Sequence, residues 1–478
     1  TRWRKMITID LNTNSKIPIY QQIYESLRHK IEIGAIAAQE KMPSKRKLAN
    51  DLNVSQTTIE TAYGQLKAEG YIYAEPKKGY YAENILKNHG GFPLCDVSLP
   101  LKKVDESLIL KQAEKKYSYD FQTNAIDTEC FPFSVWAKLT RETLNEDKNE
   151  ILSVTHPKGL YSLRQGICKM LSEHRGMNVE PNQIIVGAGW EYLLNLITQL
   201  LGKNQVYGVE DPCYAKIPKI LDRLVDAVEY LPLDGEGIIM KNLEESTADV
   251  LHVTPSHHFP LGIVTSAGRR RELLQWANAQ SNRYIIEDDY DSEFRFYGRP
   301  IPAMYGLDNG ENVIYIKTFA KSLAPSLRMA YMVLPQSLVK LYDEEMSFYA
   351  STVPSIEQHV LSRFIEGGYF ERHLHRMRNI YKKRREIFLE EVKKSSLSSK
   401  IKIFKEDAGM HLLLQVEGLK ENEIITKAEA GDIKIYGLSE YYNFYEPKGY
   451  SETVIAGFSG FSEAKLREGV QNLVKALA

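Results

Sequence analysis

The stretch VIYIKTFAKSLAPSLRMAY at residues 313–331 decides the fold of most of this chain. It begins with an apolar run rich in β-branched residues, which predicts a buried strand, and continues into a turn that contains Lys321. The preceding stretch YIIEDDYDSEF, at residues 284–294, has the same form, with Asp288 and Tyr290 close behind an apolar run. Such units in succession are typical of a mostly parallel sheet, in which ligands bind at the carboxyl ends of the strands.

The alternation of short strands and helices extends over residues 117–478. QIIVGAG at 183–189 and VLHVTP at 250–255 are further β-rich runs, each followed by a turn or a helical pattern. From about residue 370 a long charged helix precedes further strands, which indicates a smaller α+β lobe at about 370–478. We therefore predict an α/β domain with a smaller α+β C-terminal lobe.

The first part of the chain has a different pattern. Apolar residues recur at helical spacing behind Pro18, and MPSKRKLANDLNVSQTTIETAYGQLKAEGY at residues 42–71 predicts two further helices with Ser44 and Ser55 as N-caps. YIYAEPKKGYYAE at residues 71–83 then alternates around a turn, as a β-hairpin does. Three helices and a hairpin predict a mainly helical winged helix-turn-helix domain. The predicted boundaries are 6–83 for this domain, 84–116 for a linker and 117–478 for the α/β domain.

The composition excludes several classes of protein. With 43% hydrophobic and 26% charged residues the chain is typical of globular domains, and no apolar run approaches the roughly 20 residues that span a membrane. The basic start, Thr1 to Lys5, has no apolar stretch behind it, so we expect no signal peptide. Four cysteines without C-x-x-C spacing predict neither a metal site nor a disulfide framework, and they favour a reducing, cytoplasmic location.

The near-neutral net charge conceals an asymmetry between the two parts of the chain. Residues 1–90 contain 14 Lys and Arg against 9 Asp and Glu, whereas residues 91–478 contain 47 against 53. This asymmetry indicates that only the first part meets nucleic acid. Cations that reach phosphates and polar side chains that open a helix supply the two kinds of contact with DNA. The candidates are Ser44, Lys45, Arg46, Gln56, Thr57, Thr58, Lys77, Lys78 and Gly79.

Residues 16–83 resemble the winged helix-turn-helix of the GntR superfamily. The resemblance rests on PIYQQIYESLR, PSKRKLANDL, VSQTTIETAYGQLKAEGY and KKGYYA. It implies that Arg46 and the first residues of the recognition helix contact double-stranded operator DNA. Gln56 stands where Arg is usual in that family, so the base preference at this position stays open.

The α/β domain offers the groups that pyridoxal phosphate requires. This cofactor needs an amine for covalent attachment, a carboxylate beside its ring nitrogen, a hydroxyl near its phenolate oxygen, and a cation with backbone donors for its phosphate. Lys321, Asp288 and Tyr290 supply the first three, while Thr318 and Arg328 flank the lysine. A lone Lys after a strand is usually a surface residue, but this combination favours a cofactor site.

The whole chain resembles the MocR/GabR family, in which a GntR-type reader is fused to a fold-type-I aminotransferase domain. IEDDYDSEFRF and TFAKSLAPSLRMAYMVLP are the most specific motifs, supported by GLYSLRQGI, GAGWEYLLNLI, VEDPCY and VTPSHHFPLG. The resemblance implies that Lys321 binds the cofactor covalently and that Asp288 contacts the ring nitrogen. It also implies that Tyr290 contacts the phenolate oxygen and that Tyr214 stacks on the ring. The implied phosphate ligands are Thr318, Arg328, Gly189, Trp190 and Glu191.

Two departures from the family pattern concern this site. Glu191 replaces a usual Gln near the phosphate, which an ionised carboxylate repels, so we expect Glu191 to turn away or to be protonated. HHFPLG at residues 257–262 replaces the commoner HQ[FY]PTG. His257 and His258 are therefore either ordinary half-buried side chains or ligand contacts, and the sequence does not choose between these interpretations.

These patterns predict a transcriptional regulator that senses a small molecule through its aminotransferase-like domain, without excluding partial transamination. The resemblance implies a head-to-tail homodimer on DNA, and no membrane partner is expected. Two alternatives stay open: a working pyridoxal-phosphate-dependent aminotransferase with an accessory DNA reader, and a large domain that serves only for dimerisation. The presence of Lys321, Asp288 and Tyr290 together weighs against the last alternative.

The identity of the effector depends on whether the site contains an Arg that can bind a substrate carboxylate. Fold-type-I aminotransferases grip the substrate carboxylate with an Arg of the C-terminal lobe, because a guanidinium forms two parallel hydrogen bonds. Over residues 386–478 the only Arg is Arg467, in an amphipathic helix, and Lys216 replaces the second Arg of amino-acid-sensing members. This favours pyridoxal phosphate itself as effector, as in the PdxR-like members that control vitamin B6 synthesis. The alternatives are an amino compound such as GABA or D-alanyl-D-alanine, with Arg295 or Arg299 as the clamp.

Overall fold

The chain divides into two compact units, Thr1–Glu114 and Lys115–Ala478. The structure is a computed structural model, and it describes residues 9–12, 15, 17–85, 115–146, 148–296, 301–308, 311–404 and 408–478. Most of the predicted linker, at 86–114, and the basic start, Thr1 to Lys5, lie outside the described residues.

The first unit is a winged helix-turn-helix of the predicted form. As predicted, the Ser44 hydroxyl caps one helix by accepting a hydrogen bond from the Lys47 amide, and Ser55 caps the next through the Thr58 amide. Asn53 ends the first of these helices in the left-handed conformation, with φ of 51°, which makes the sharp turn between them. The elements are α1 (Ile19–Glu32), α2 (Lys45–Leu52), α3 (Gln56–Ala68), β1 (Ile72–Glu75) and β2 (Gly79–Ala82).

A small hydrophobic core fixes the orientation of α3. Ile23 and Leu27 of α1 are fully buried together with Ile59 and Leu66 of α3. Because these side chains occupy one face of α3, the opposite face at the start of the helix is exposed. The strands β1 and β2 pair in antiparallel register and form the wing.

The second unit combines strands and helices over its whole length. Its strands are β3 (Tyr119–Asp120), β4 (Ile184–Gly187), β5 (Val206–Asp211), β6 (Ala227–Asp234), β7 (Gly237–Ile238), β8 (Val250–Val253), β9 (Tyr284–Asp288), β10 (Val313–Thr318), β11 (Ala330–Val333), β12 (Ile401–Phe404), β13 (His411–Val416), β14 (Ile433–Lys434), β15 (Tyr436–Gly437) and β16 (Thr453–Gly457). Its α-helices are α4 (Phe133–Glu146), α5 (Lys148–Ile151), α6 (Tyr161–Arg175), α7 (Trp190–Leu201), α8 (Lys216–Leu224), α9 (Met240–Glu245), α10 (Ala267–Asn278), α11 (Met304–Leu307), α12 (Gln336–Glu345), α13 (Ser355–Glu366), α14 (Tyr369–Lys394), α15 (Glu421–Ala430) and α16 (Glu463–Leu477).

An eight-stranded sheet forms the centre of this unit, in the order β4-β11-β10-β9-β8-β5-β6-β7. The strands from β10 through β6 are parallel, whereas β11 and β7 pair in antiparallel fashion with their neighbours. The predicted mostly parallel sheet is therefore confirmed. Separate apolar clusters pack against the sheet, which explains why strands such as β8 and β11 are buried at every residue.

The predicted smaller lobe is a four-stranded sheet in the order β12-β13-β16-β15, with α14 and α16 packed together beside it. The short strand β3 pairs in parallel with β14, so the segment before α4 also joins this lobe. Because a two-residue strand leaves no periodic pattern, local sequence offered no sign of this contact. None of the helices that the structure describes has the length and apolar character needed to cross a membrane.

Candidate functional site

The carboxyl ends of the central strands open into a cavity of about 310 Å³. Asp288 ends β9 and Thr318 ends β10, while Tyr290 and Lys321 lie in the turns behind these strands. Because neighbouring parallel strands end at the same edge, they bring these side chains together. Eight of the nine predicted cofactor residues line the cavity, namely Lys321, Asp288, Tyr290, Tyr214, Arg328, Thr318, Trp190 and Glu191.

The Lys321 amine is held by the segment that precedes α4. Its Nζ donates hydrogen bonds to the Thr123 carbonyl oxygen at 2.7 Å and to Asn124 Oδ1 at 2.6 Å. Burial lowers the pKa of Lys321 to about 8, although the Asp291 carboxylate opposes this change. The neutral, nucleophilic amine is therefore more abundant at neutral pH than for an exposed lysine.

The Asp288 carboxylate presents a polar atom without a partner. Its Oδ1 is buried and has no hydrogen bond within the described residues, while its Oδ2 lies 3.5 Å from His252 Nε2. The rings of His252 and Trp190 lie perpendicular to one another, with 5.7 Å between their centroids. A buried carboxylate oxygen without a donor is unusual and fits a ligand that brings its own N–H, such as a protonated pyridine ring.

The two histidines of the HHFPLG segment have different surroundings. The Tyr290 hydroxyl lies 3.0 Å from His257 Nδ1, which is itself 2.8 Å from Asp291 Oδ2. His257 thus contacts the hydroxyl of Tyr290, which lines the cavity, without lining the cavity itself. His258 Nε2 donates to the Pro212 carbonyl oxygen at 3.0 Å, and burial lowers the pKa of His258 to about 3. Of the two interpretations left open, His258 therefore fits that of a buried side chain.

The remaining predicted residue, Gly189, is the N-cap of α7 and has φ of 99°. A Cβ at this position would collide with the Arg328 guanidinium, so glycine is required for that group to lie against the helix. Backbone N–H groups at a helix N-terminus attract anions, and a guanidinium adds charge and further donors. This end of the cavity therefore fits a phosphate group.

Glu191 is not turned away from this end of the cavity. Its Oε2 accepts a hydrogen bond from Arg328 Nη2 at 2.6 Å, and its Oε1 lies 3.5 Å from Lys216 Nζ. Burial alone raises the pKa of Glu191, but the hydrogen bonds from Arg328 and from its own backbone amide outweigh burial and leave the pKa below its usual range. The expectation that Glu191 turns away from a phosphate or is protonated stays a prediction; here two cations, Arg328 and Lys216, lie beside its carboxylate.

Sequence reasoning missed two buried polar residues beside the cavity. His252 stands in the otherwise apolar strand β8, and this interruption is the one signal that the sequence offered. Glu210 lines the cavity and accepts hydrogen bonds from the Thr254 amide at 2.9 Å and the Thr254 hydroxyl at 2.7 Å. Burial raises the pKa of Glu210 to about 7.

A clamp for a substrate carboxylate is missing from the described part of the cavity. Arg328 is the one guanidinium among the described residues that line it, and Glu191 already binds this group. Arg467 lies on α16 and forms an ion pair with Glu391. Arg295 lines a separate small cavity, and Arg299 lies outside the described residues.

Comparison with known proteins agrees with this arrangement. The family described as "Aminotransferase class I and II" matches residues 119–471, and "Bacterial regulatory proteins, gntR family" matches residues 19–81. The "Uncharacterized HTH-type transcriptional regulator YdeL" of Bacillus subtilis is 39% identical over 98% of this chain and 99% of its own length. The "Probable rhizopine catabolism regulatory protein MocR" of Rhizobium meliloti is 30% identical over 98% of this chain and 95% of its own length. The chain belongs to the MocR/GabR family of transcriptional regulators.

Two further comparisons place this MocR/GabR regulator among its relatives. The "HTH-type pyridoxine biosynthesis transcriptional regulator PdxR" of Corynebacterium glutamicum is 27% identical over 96% of both chains. The solved structure of a multiple substrate aminotransferase from Thermococcus profundus has a TM-score of 0.66 and 23% identity, and covers 79% of this chain and 95% of its own. The aminotransferase fold implies dependence on pyridoxal phosphate, and the GntR-type reader implies DNA binding.

In the winged helix-turn-helix domain of this MocR/GabR regulator, the predicted DNA-contact residues differ in exposure and in their hydrogen-bond and ion-pair partners. Arg46, Gln56 and Thr57 are exposed at the starts of α2 and α3, and Lys77 and Gly79 are exposed at the wing tip. Two predicted cations already have carboxylate partners, because Lys45 binds Glu60 at 3.1 Å and Lys78 binds Glu75 at 3.0 Å. Ser44, Ser55 and Thr58 take part in helix capping. No ion pair engages Arg46 or Lys77 within the part of the chain that the structure describes.

A loop of the smaller lobe is anchored to the end of β5. The Asp211 carboxylate accepts hydrogen bonds from the backbone amides of residues 443–445 at 2.8 to 3.0 Å. The Cys213 amide also donates to the Tyr441 carbonyl oxygen at 3.0 Å. These bonds join the smaller lobe to the segment that continues into Tyr214 on the cavity wall.

Proposed function

We propose that this transcriptional regulator has pyridoxal phosphate as its effector and that occupancy of the cavity changes its binding to operator DNA. One observation supports this proposal above all others. The cavity is lined by an amine, a carboxylate, a hydroxyl and a guanidinium, the groups that pyridoxal phosphate requires, while its described lining has no second guanidinium for an amino-acid carboxylate. The PdxR relative is named as a regulator of pyridoxine biosynthesis, and we extend control of vitamin B6 synthesis to this chain as part of the proposal.

Eight of the predicted cofactor residues have a role in this proposal. Lys321 would hold the cofactor covalently through its amine, and Asp288 would accept a hydrogen bond from the protonated ring nitrogen. Tyr290 would contact the phenolate oxygen, and Tyr214 would pack on the face of the ring. When bound, pyridoxal phosphate supplies an electrophilic carbon and a ring that withdraws electrons. The phosphate ligands are Arg328, Thr318 and the α7 N-terminus at Gly189 and Trp190.

The second unit also exposes several large apolar side chains. Phe133, Leu152, Val154 and Phe348 are 64%, 86%, 91% and 77% exposed. Exposed apolar side chains mark an association surface where they form a contiguous patch. We propose that they lie in the homodimer interface, and sedimentation equilibrium of the full chain at micromolar concentration tests this, since a monomer contradicts it.

The test of the effector uses the full chain, stripped of cofactor, and a duplex that the protein selects from a random DNA library. Pyridoxal phosphate alone is expected to change the affinity for this duplex. GABA and D-alanyl-D-alanine, added to loaded protein, are expected to leave it unchanged. If pyridoxal phosphate has no effect and one amino compound alters DNA affinity, the effector is that compound.

The same preparation separates a regulator from a working aminotransferase. The loaded protein is incubated with pairs of amino acids and 2-oxo acids, and product is counted per site. A regulator without sustained catalysis gives at most one half-reaction per site. Multiple turnovers per site contradict the regulator-only proposal, whatever the DNA result.

Arg46→Ala is expected to weaken DNA binding for all sequences, because we assign this exposed side chain to a DNA phosphate. Losing one such contact lowers the slope of log affinity against log salt by about 1. Gln56→Arg is expected to change the preferred sequence instead, because this residue opens the recognition helix. Binding is measured by fluorescence anisotropy at several salt concentrations. An unchanged salt slope for Arg46→Ala contradicts the assignment.

A further inference from the structure

Three sources of positive charge converge at the phosphate end of the cavity. They are the N-terminus of α7, the Arg328 guanidinium and the Lys216 ammonium group. The Glu191 carboxylate lies beside all three: it accepts from Arg328 at 2.6 Å, lies 3.5 Å from Lys216 Nζ, and belongs to the first turn of α7, where a negative charge is favourable. The chain thus places its own anion among the groups that suit a ligand phosphate.

We propose that Glu191 competes with the phosphate of the effector and thereby sets the concentration at which the cavity fills. This inference rests on the proposed function and deepens it. A phosphate that approaches Arg328 must displace the carboxylate or share the guanidinium with it. Either route opposes binding, since displacement breaks a charge-assisted hydrogen bond and sharing brings two anions together.

A purely structural role explains Glu191 poorly. The side chains of Glu191 and Arg328 are 35% and 54% exposed, and ion pairs that are open to solvent to this extent contribute little to folding. Gly189 permits the close approach of the Arg328 guanidinium to the N-terminus of α7, and Arg328 in this position lines the cavity. The pair therefore bears on ligand affinity more than on stability.

A competing carboxylate suits a sensor. A site that is filled at every cellular concentration of its ligand reports nothing, because its occupancy cannot change. By weakening phosphate binding, Glu191 moves half-occupancy to a higher effector concentration without altering Lys321, Asp288 or Tyr290. Separate residues then determine the recognition of the effector's ring and the effector concentration at which half of the sites are filled.

The experiment compares wild-type protein with Glu191→Gln, which keeps the side-chain size but removes the charge. Stripped full-length protein is titrated with pyridoxal phosphate by absorbance, and with pyridoxal and inorganic phosphate by calorimetry. Glu191→Gln is expected to bind pyridoxal phosphate and inorganic phosphate more tightly, by about three- to fivefold, since an ion pair that is open to solvent to this extent has an effect of this size. The affinity for pyridoxal, which has no phosphate, is expected to stay within about twofold.

Two control variants complete the design. Asp222→Asn removes a charge of the same sign from the exposed surface of α8 and is expected to leave all three affinities unchanged. Arg328→Ala removes the contested cation and is expected to weaken binding of pyridoxal phosphate. If Glu191→Gln binds pyridoxal phosphate no more tightly, or strengthens pyridoxal binding equally, the competition is disproved. These titrations contain no DNA, so a protein that binds as expected but whose DNA affinity ignores the ligand contradicts the proposed function alone.

Discussion

Lys321→Ala abolishes covalent attachment of pyridoxal phosphate, if the amine in the cavity has the role proposed for it. The wild-type protein is expected to absorb in the visible range, and borohydride is expected to remove this absorbance by fixing the cofactor to the chain. The variant loses both properties, because the lowered pKa of about 8 and the two hydrogen bonds single out this amine in the cavity. Mass spectrometry of borohydride-treated peptides locates the adduct.

Lys216→Ala is the matched control, because Lys216 is the other lysine on the described cavity wall. It is exposed and paired with Glu191, so the adduct on Lys321 is expected to persist when Lys216 is removed. An adduct on Lys216 or elsewhere in the Lys321→Ala protein contradicts the assignment.

Asp289→Asn is expected to destabilise the second unit by about 3–5 kcal/mol, the usual cost of removing one partner from a buried ion pair. Asp289 is 1% exposed, and its Oδ2 lies 2.9 Å from Arg175 Nε and 3.5 Å from Lys317 Nζ. The Tyr315 hydroxyl also donates to it. The substitution leaves the buried Arg175 without its carboxylate partner, while Lys317 keeps its ion pair with Glu293 at 2.9 Å. The midpoint of urea unfolding measures the effect, and exposed Asp226→Asn is the control, with a change within about 0.5 kcal/mol.

The loss of stability caused by Asp289→Asn is expected to depend on pH. Burial alone raises the pKa of Asp289, but Arg175 and Lys317 outweigh it and hold the pKa well below its usual range. The charged form therefore stabilises the folded chain above the unfolded-state pKa of about 3.9, and this stabilisation is lost as pH falls through the folded-state value. The difference between wild type and Asp289→Asn is expected to shrink in acid. A constant difference across this range indicates that lost hydrogen bonding, not charge, destabilises the variant.

The residues of the site differ in how readily the sequence revealed them. Lys321, Asp288 and Tyr290 come directly after apolar runs, and parallel strands bring the residues at their carboxyl ends to one edge, so local pattern was sufficient. The Glu191–Arg328 pair joins residues 137 positions apart, and its geometry depends on the absence of a side chain at Gly189. Repulsion between Glu191 and a phosphate was foreseen from charge, but the compensation by Arg328 and Lys216 depends on tertiary contacts that no local pattern encodes.

The winged domain was more predictable than the smaller lobe for a similar reason. Its caps, Ser44 and Ser55, act on amides three residues away, so short-range chemistry determined where the helices begin. The smaller lobe recruits β3 from a point more than 300 residues before β14. A pairing over such a distance is selected by the whole packed lobe rather than by the residues that pair.

The Asp211 anchor offers a way to follow movement of the smaller lobe without a label. One carboxylate holds the amide protons of residues 443–445, so any opening that withdraws this loop from β5 frees the three protons in a single event. Their exchange with deuterated solvent is then expected to show one common protection factor, because a single opening exposes all three amides. Because the loop joins the segment that leads to Tyr214, a ligand that closes the lobe slows all three together, while one that binds without closure leaves their exchange unchanged.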